Sequence, residues 1–169
     1  AFDTLAWLIG SIGEPQAFTS TAIQERPDSD GSMRPVDADD IALINVELET
    51  HQGGTVAAQL ALSSVARNGR GCWIEIYGSK GSLVLGSENQ KDYVHGFSLT
   101  LQQGGEAPRN VQPDEDLRFA TTWSDGRVAP VARLQNWWAR SIQQGHPMVP
   151  GLAEGLASQQ ACDRTLSSR

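Results

Sequence analysis

The chain has 169 residues, 39% of them apolar and 20% charged, with a formal net charge of -7. This is the composition of a globular domain rather than a disordered tract, and the length suits one domain spanning 1–169. The acidic balance argues against nucleic acid as a partner, because phosphate neutralisation needs clustered Lys and Arg, and no apolar run approaches the length of a membrane span.

Two cysteines, Cys72 and Cys162, lack the spacing of a metal site and are too few for a disulfide scaffold, which is compatible with a reducing, cytoplasmic setting. No basic segment followed by an apolar one marks a signal peptide. The first ten residues read as a helix already under way. Phe2, Leu5, Leu8 and Ile9 share a face, Gly10 fits the stop, and neither an initiator Met nor a capping residue precedes Phe2. A fragment, or a gene encoding part of a larger architecture, is the expectation.

Ala17 to Ile23 reads as a short strand, and Gln24 to Asp39, rich in Pro, Asp and Gly, as a long excursion loop. Asp40 to Thr50 alternates, with Ala42, Ile44, Val46 and Leu48 on one side and Ile41, Leu43, Asn45, Glu47 and Glu49 on the other. His51 to Gly54 is a turn, and Thr55 to Ala66 a long strand. Trp73 to Leu85 reads as a hairpin whose Gly78-Ser79-Lys80-Gly81 supplies turn residues able to take positive φ. Phe97 to Leu101 is a further strand, and Gly104 to Asp116 a polar connector. The period then changes: Val131, Leu134, Trp137, Trp138 and Ile142 fall at helical spacing within Val128 to Gln144, ending at Gly145, and a last helix covers Leu152 to Leu166. Helix, strands, then two helices predict an α+β fold, with a predominantly antiparallel open sheet and helices packed on one face.

Few constellations point to chemistry. The hairpin glycines fail as a phosphate-binding loop, because Lys80 precedes Gly81 and a strand follows rather than a helix. Gly69-Arg70-Gly71 begins like a dinucleotide fingerprint, but Ile74 breaks it and no βαβ unit surrounds it. His51 and His146 read as surface groups. His95, in Asp92-Tyr93-Val94-His95, reads as a loop histidine or a pocket residue. Asp37, Asp39 and Asp40 cluster at a loop–strand junction, where solvated carboxylates are commoner than a metal site. Trp137 and Trp138 point about 100° apart on a helix, so one is expected in the core and the other partly exposed at a contact. Arg67, Asn68 and Arg70 follow a long strand, where they would recognise an anionic or hydroxylated ligand or form a solvated basic turn.

Three segments together resemble the C-terminal domain of the Gfo/Idh/MocA oxidoreductases, the relatives of glucose–fructose oxidoreductase and inositol dehydrogenase. They are Asp3-Thr-Leu-Ala-Trp-Leu-Ile-Gly10, Ile74-Glu-Ile-Tyr-Gly-Ser-Lys-Gly-Ser-Leu83, and Ile142-Gln-Gln-Gly-His-Pro leading to Gly155-Leu-Ala. The resemblance runs in order over nearly the whole chain, and the middle segment is the most specific. It implies a parent with an N-terminal Rossmann domain binding NAD or NADP, a catalytic Lys in that domain, and a catalytic His just before Ala1. The Rossmann domain and both residues lie outside this chain, so no cofactor, catalytic or metal residue is expected within it.

Asp3 then stands where the last Asp of the histidine motif falls. It would hydrogen-bond substrate or orient that His, or it is simply a carboxylate at a helix N-terminus. Asp3, Arg67 and His95 are the substrate-binding candidates. Two functions follow. One is the substrate-binding and oligomerisation domain of a dehydrogenase acting on a sugar, inositol or related polyol. The other is a stand-alone, non-catalytic binding or assembly module derived from that domain. Both imply a homodimer through the open sheet face.

Overall fold

A computed structural model describes residues 1–89, 92 and 94–168. Tyr93 of the Asp92–His95 segment lies outside them. The chain divides into two compact units, Ala1–Arg67 with Val149–Arg169, and Asn68–Met148.

The first unit is built on β5 (Ile41–Thr50). Its alternation reads as expected: Ile44, Val46 and Leu48 are buried, while Leu43, Asn45, Glu47 and Glu49 are exposed. One edge of β5 pairs antiparallel with β6 (Thr55–Ser63). The other takes two short strands in succession. β1 (Gly10–Ile12) pairs with Leu48–Thr50, and β2 (Gln16–Ser20) pairs with Ile41–Asn45. Between them the Gly13 N–H donates to the Glu47 carbonyl at 2.9 Å, so β1 and β2 are one edge interrupted by a short excursion at Glu14–Pro15.

Helices α1 (Phe2–Leu8) and α3 (Leu152–Ser167) contribute Phe2 and Ala161 to the core of Ile44, Val46, Leu48 and Leu60. Both therefore cover the even-numbered face of β5, as an α+β fold requires. The N–H of Gly151 donates to the Glu154 carboxylate at 2.6 Å, which lowers that group's pKa and satisfies one free donor at the start of α3. Arg164 on α3 donates to the Ile12 carbonyl at 3.3 Å.

Four local expectations change. Gly10 does not follow the helix as a left-handed stop; it opens β1, and the helix ends through Ile9 in a right-handed conformation. The excursion at 24–39 contains a two-stranded ribbon, β3 (Glu25–Pro27) against β4 (Met33–Pro35). β6 stops at Ser63 rather than running to Ala66. Asp40 is not a solvated carboxylate: it is 6% exposed. It accepts hydrogen bonds from the Ile23 N–H at 2.9 Å and from Arg26 at 2.6 Å.

The second unit holds an antiparallel sheet in the order β10-β9-β8-β7, from β7 (Cys72–Gly78), β8 (Gly81–Ser87), β9 (Ser98–Gln103) and β10 (Arg109–Val111). The hairpin is confirmed, with Gly78 paired to Gly81 around a Ser79-Lys80 tip. Ser79 and Lys80 at the tip do not take positive φ, but Gly81 does, at 159. A Cβ at Gly81 would also lie 2.1 Å from the Gln102 carbonyl oxygen of β9. The connector after β9 carries β10 and a 3-10 turn at Glu115–Leu117.

Helix α2 (Val128–Gln144) has the expected limits, and Gly145 closes it in the left-handed conformation at φ 66 and ψ 23. An L side chain is strained in that geometry, so Gly145→Ala is expected to cost about 1 kcal/mol and lower Tm by about 2–4 °C. A calorimetric Tm equal to that of the parent chain would contradict the capping role.

Among the described residues, no helix is long and apolar enough to cross a membrane.

Candidate functional site

The three residues expected to contact substrate are parted between the units. Asp3 is exposed in the first turn of α1, and its carboxylate has no hydrogen-bond partner among the described residues. Arg67 is exposed in the connector beyond β6. No hydrogen bond or ion pair links the two among the described residues.

His95 lies in the second unit and is held by its own turn. Asp92 accepts the N–H groups of Val94 and His95 at 3.0 and 2.9 Å, and His95 Nδ1 lies 3.3 Å from Asp92 Oδ2. The His95 backbone donor is the main reason the Asp92 carboxyl sits below the usual carboxylate range. An Asp that satisfies two backbone donors makes a compact loop here, and the imidazole it tethers stays largely exposed.

A cleft among the described residues involves none of these three. With a volume of about 340 Å³, it opens in the second unit, between the segment 118–123 and one face of α2. Local sequence explains how it is built. Asp125 forms a tight turn just before the helix, accepting from the Arg127 N–H at 3.0 Å and from its guanidinium at 2.9 and 2.7 Å. Those bonds hold the Asp125 carboxyl at about 2.

From that start, the helix turns Ala129, Arg133, Asn136, Trp137 and Arg140 onto one stripe at three- and four-residue spacing. Arg133 fastens the opposite wall, donating to the carbonyls of Leu117 at 2.8 Å and Arg118 at 2.7 Å. Its guanidinium also lies over the Phe119 ring at 3.9 Å. Buried Ala129 also lines the cleft, as do Trp123 and Trp137, each 47% exposed.

The charge of the cleft is the reverse of the chain's. Arg118, Arg133 and Arg140 line it, with no Asp or Glu among the lining residues. Arg133 is committed to carbonyls, and Arg118 pairs with the exposed Glu115 at 3.1 Å. Neither Arg140 nor Asn136 has a side-chain hydrogen bond or ion pair among the described residues.

The helix period located α2, but of the apolar positions it picked out only Trp137 lines the cleft. Val131, Leu134, Trp138 and Ile142 are 44–66% exposed, while the cleft stripe mixes Ala, Arg, Asn and Trp. Neither Trp137 nor Trp138 is a core residue, correcting the expectation that one would be. Arg133 and Arg140, two turns apart with Trp137 between them, were the legible signal. Among the described residues, no group of three or more His, Cys, Asp or Glu side chains could hold a metal ion.

Residues 1–169 match the profile described as oxidoreductase family, C-terminal alpha/beta domain. An uncharacterized oxidoreductase of Synechocystis sp. is 43% identical over 166 residues, which is 97% of this chain and 44% of that protein. The crystal structure of an NAD binding oxidoreductase from Klebsiella pneumoniae superposes with a TM-score of 0.71 at 18% identity, over 98% of this chain and 45% of that one. The chain thus spans less than half the length of each of these relatives.

Proposed function

The chain belongs to this Gfo/Idh/MocA oxidoreductase family, as its C-terminal alpha/beta domain, and on that premise we propose that it is the substrate-binding and assembly half of an NAD- or NADP-dependent dehydrogenase acting on a sugar, inositol or related polyol. The observation that carries this reading is the match across all of residues 1–169 to one named half of an oxidoreductase. The Klebsiella neighbour, named for NAD binding, supports a nicotinamide cofactor in the parent. Its binding site belongs to another domain, because a dinucleotide fold is wound from parallel strands and every strand pairing described here is antiparallel.

The parent reaction on this reading removes a proton from a substrate hydroxyl while hydride passes to the nicotinamide. The cofactor supplies the redox chemistry, and the protein supplies position and proton transfer. Asp3, exposed on α1, is the candidate for orienting the catalytic His or accepting a substrate hydroxyl; Arg67 and His95 are candidates for further hydroxyl contacts. Cys72 and Cys162 are free and exposed, which supports a reducing, cytoplasmic setting.

The assembly role rests on the odd-numbered face of β5. By register, Phe18, Leu43 and Ala61 lie side by side across three strands, with Gln16, Asn45 and Gln59 in the next row. Phe18 is 64% and Leu43 46% exposed, so this row is apolar surface that a second copy of the chain would cover.

Two measurements test the reading. NADH or NADPH titrated into this chain is expected to give no binding; tight stoichiometric binding of either would overturn the assignment of the nucleotide site to another domain. Analytical ultracentrifugation is expected to give a dimer that Leu43→Glu weakens. A strict monomer at high concentration removes the assembly role.

A further inference from the structure

We propose that the cleft between residues 118–123 and α2 is a binding site for a monosaccharide-sized anion, a ring carrying one carboxylate or phosphate group. The proposal stands on the second unit alone and does not depend on the parent's reaction.

Four observations carry it. First, the cleft concentrates positive charge on a chain of net charge -7: three arginines line it and no acid does. Second, the arginines divide their work. Arg133 holds the wall by two carbonyl bonds and a ring contact, so it is structural. Arg140 has no side-chain hydrogen bond or ion pair among the described residues, and its planar fork matches the two oxygens of a carboxylate or the edge of a phosphate.

Third, polar and flat apolar groups alternate in the same opening. Asn136 lies one helical turn from Arg140 and can donate to or accept from a ring hydroxyl, and the aromatic side chains of Trp123 and Trp137 line the same cleft. Fourth, the volume of about 340 Å³ lies at the small end of ligand sites, which selects a single ring rather than an extended polymer. The chain's acidic balance and the absence of Lys from the lining set a nucleic-acid strand aside.

The fastening by Arg133 makes this a built wall. A loop held by two charge-assisted bonds to its own carbonyls is positioned before a ligand arrives, so less ordering remains to be done on binding.

The test is calorimetric titration of the full chain with glucuronate, glucose 6-phosphate and, as a neutral control, glucose. At least one anion is expected to saturate, at a concentration tenfold or more below any response to glucose, a factor of about 1.4 kcal/mol. The two anions separate a carboxylate from a phosphate preference. Binding is expected to weaken as salt rises.

Arg140→Gln should reduce the affinity by about tenfold or more with Tm unchanged, since that side chain has no hydrogen bond or ion pair to lose among the described residues. Arg140→Lys should fall between, keeping the charge without the fork. Equal affinity for glucose and both anions, no saturation by either anion up to about 10 mM, or undiminished binding by Arg140→Gln would each overturn the proposal. Failure here leaves the nicotinamide result untouched, so the two readings fail separately.

Discussion

Gly10→Ala is expected to destabilise the first unit by about 2–4 kcal/mol, a large fraction of the stability of an ordinary domain. Two effects add. Gly10 has φ 151, a backbone conformation L side chains rarely adopt. A Cβ built there would also lie 1.8 Å from the Glu49 carbonyl oxygen, and within 2.9 Å of Thr50 Cα. Both obstacles are backbone atoms of β5, not the far end of a flexible side chain. Relief therefore means shifting β1 away from β5 and giving up the Gly10–Thr50 register.

The consequence reaches α1, because Ile9 and Gly10 connect it directly to β1. His51 fastens the same corner, its N–H donating to the Ile9 carbonyl at 3.0 Å and its Nε2 lying 3.2 Å from the Trp7 carbonyl. Moving β1 would loosen the platform that carries Asp3. Urea unfolding is the measurement: the midpoint should fall with little change in slope. An unchanged midpoint would mean that the edge strand tolerates the methyl and that the glycine is incidental.

That glycine also shows where sequence reading reached its limit. Gly10 after Phe2-Leu5-Leu8-Ile9 has the pattern of a helix stop, and the helix does end there. The reason differs, because the constraint comes from Glu49, nearly forty positions away, and no local pattern encodes it. β5 is the opposite case. Its alternation is set by one buried and one open face, a property local to the strand, so Ile44, Val46 and Leu48 were identifiable from spacing alone.

The same contrast holds for α2. Its limits followed from the helical period and the left-handed Gly145, both local. The stripe that lines the cleft did not, because Arg133 owes its position to carbonyls 15 and 16 residues away. Apolar spacing drew attention to Val131, Leu134, Trp138 and Ile142, which the chain leaves exposed, and away from the arginines.

Asp40→Ala is the second change expected to have a large effect, about 2–3 kcal/mol. The carboxylate is nearly inaccessible, with 4% side-chain exposure, and anchors three segments at once. It takes the Ile23 N–H at 2.9 Å and the Arg26 guanidinium at 2.6 Å, with Ser64 Oγ at 3.4 Å. Its own main chain extends the junction, its N–H donating to the Ser20 carbonyl and its carbonyl accepting from the Ser64 N–H.

Removing one partner of a buried pair ordinarily costs about 3–5 kcal/mol, because the other charge is stranded. Here Arg26 is 49% exposed and can turn to water, which brings the expectation to the lower figure. What remains is the unsatisfied Ile23 donor and the void under the ribbon of β3 and β4.

The ribbon is tied to the sheet edge through this carboxylate, so its release is the specific signature. Limited proteolysis of Asp40→Ala should cut first within residues 24–39, at rates well above those of the parent chain. Asp40→Asn separates charge from geometry: it keeps an acceptor for Ile23 while losing the ionic part of the Arg26 contact, and should cost roughly half as much. Equal losses for both variants would show that the charge carries the junction. An Asp40→Ala chain as stable as the parent, and cut no faster at 24–39, would show that the ribbon is held elsewhere.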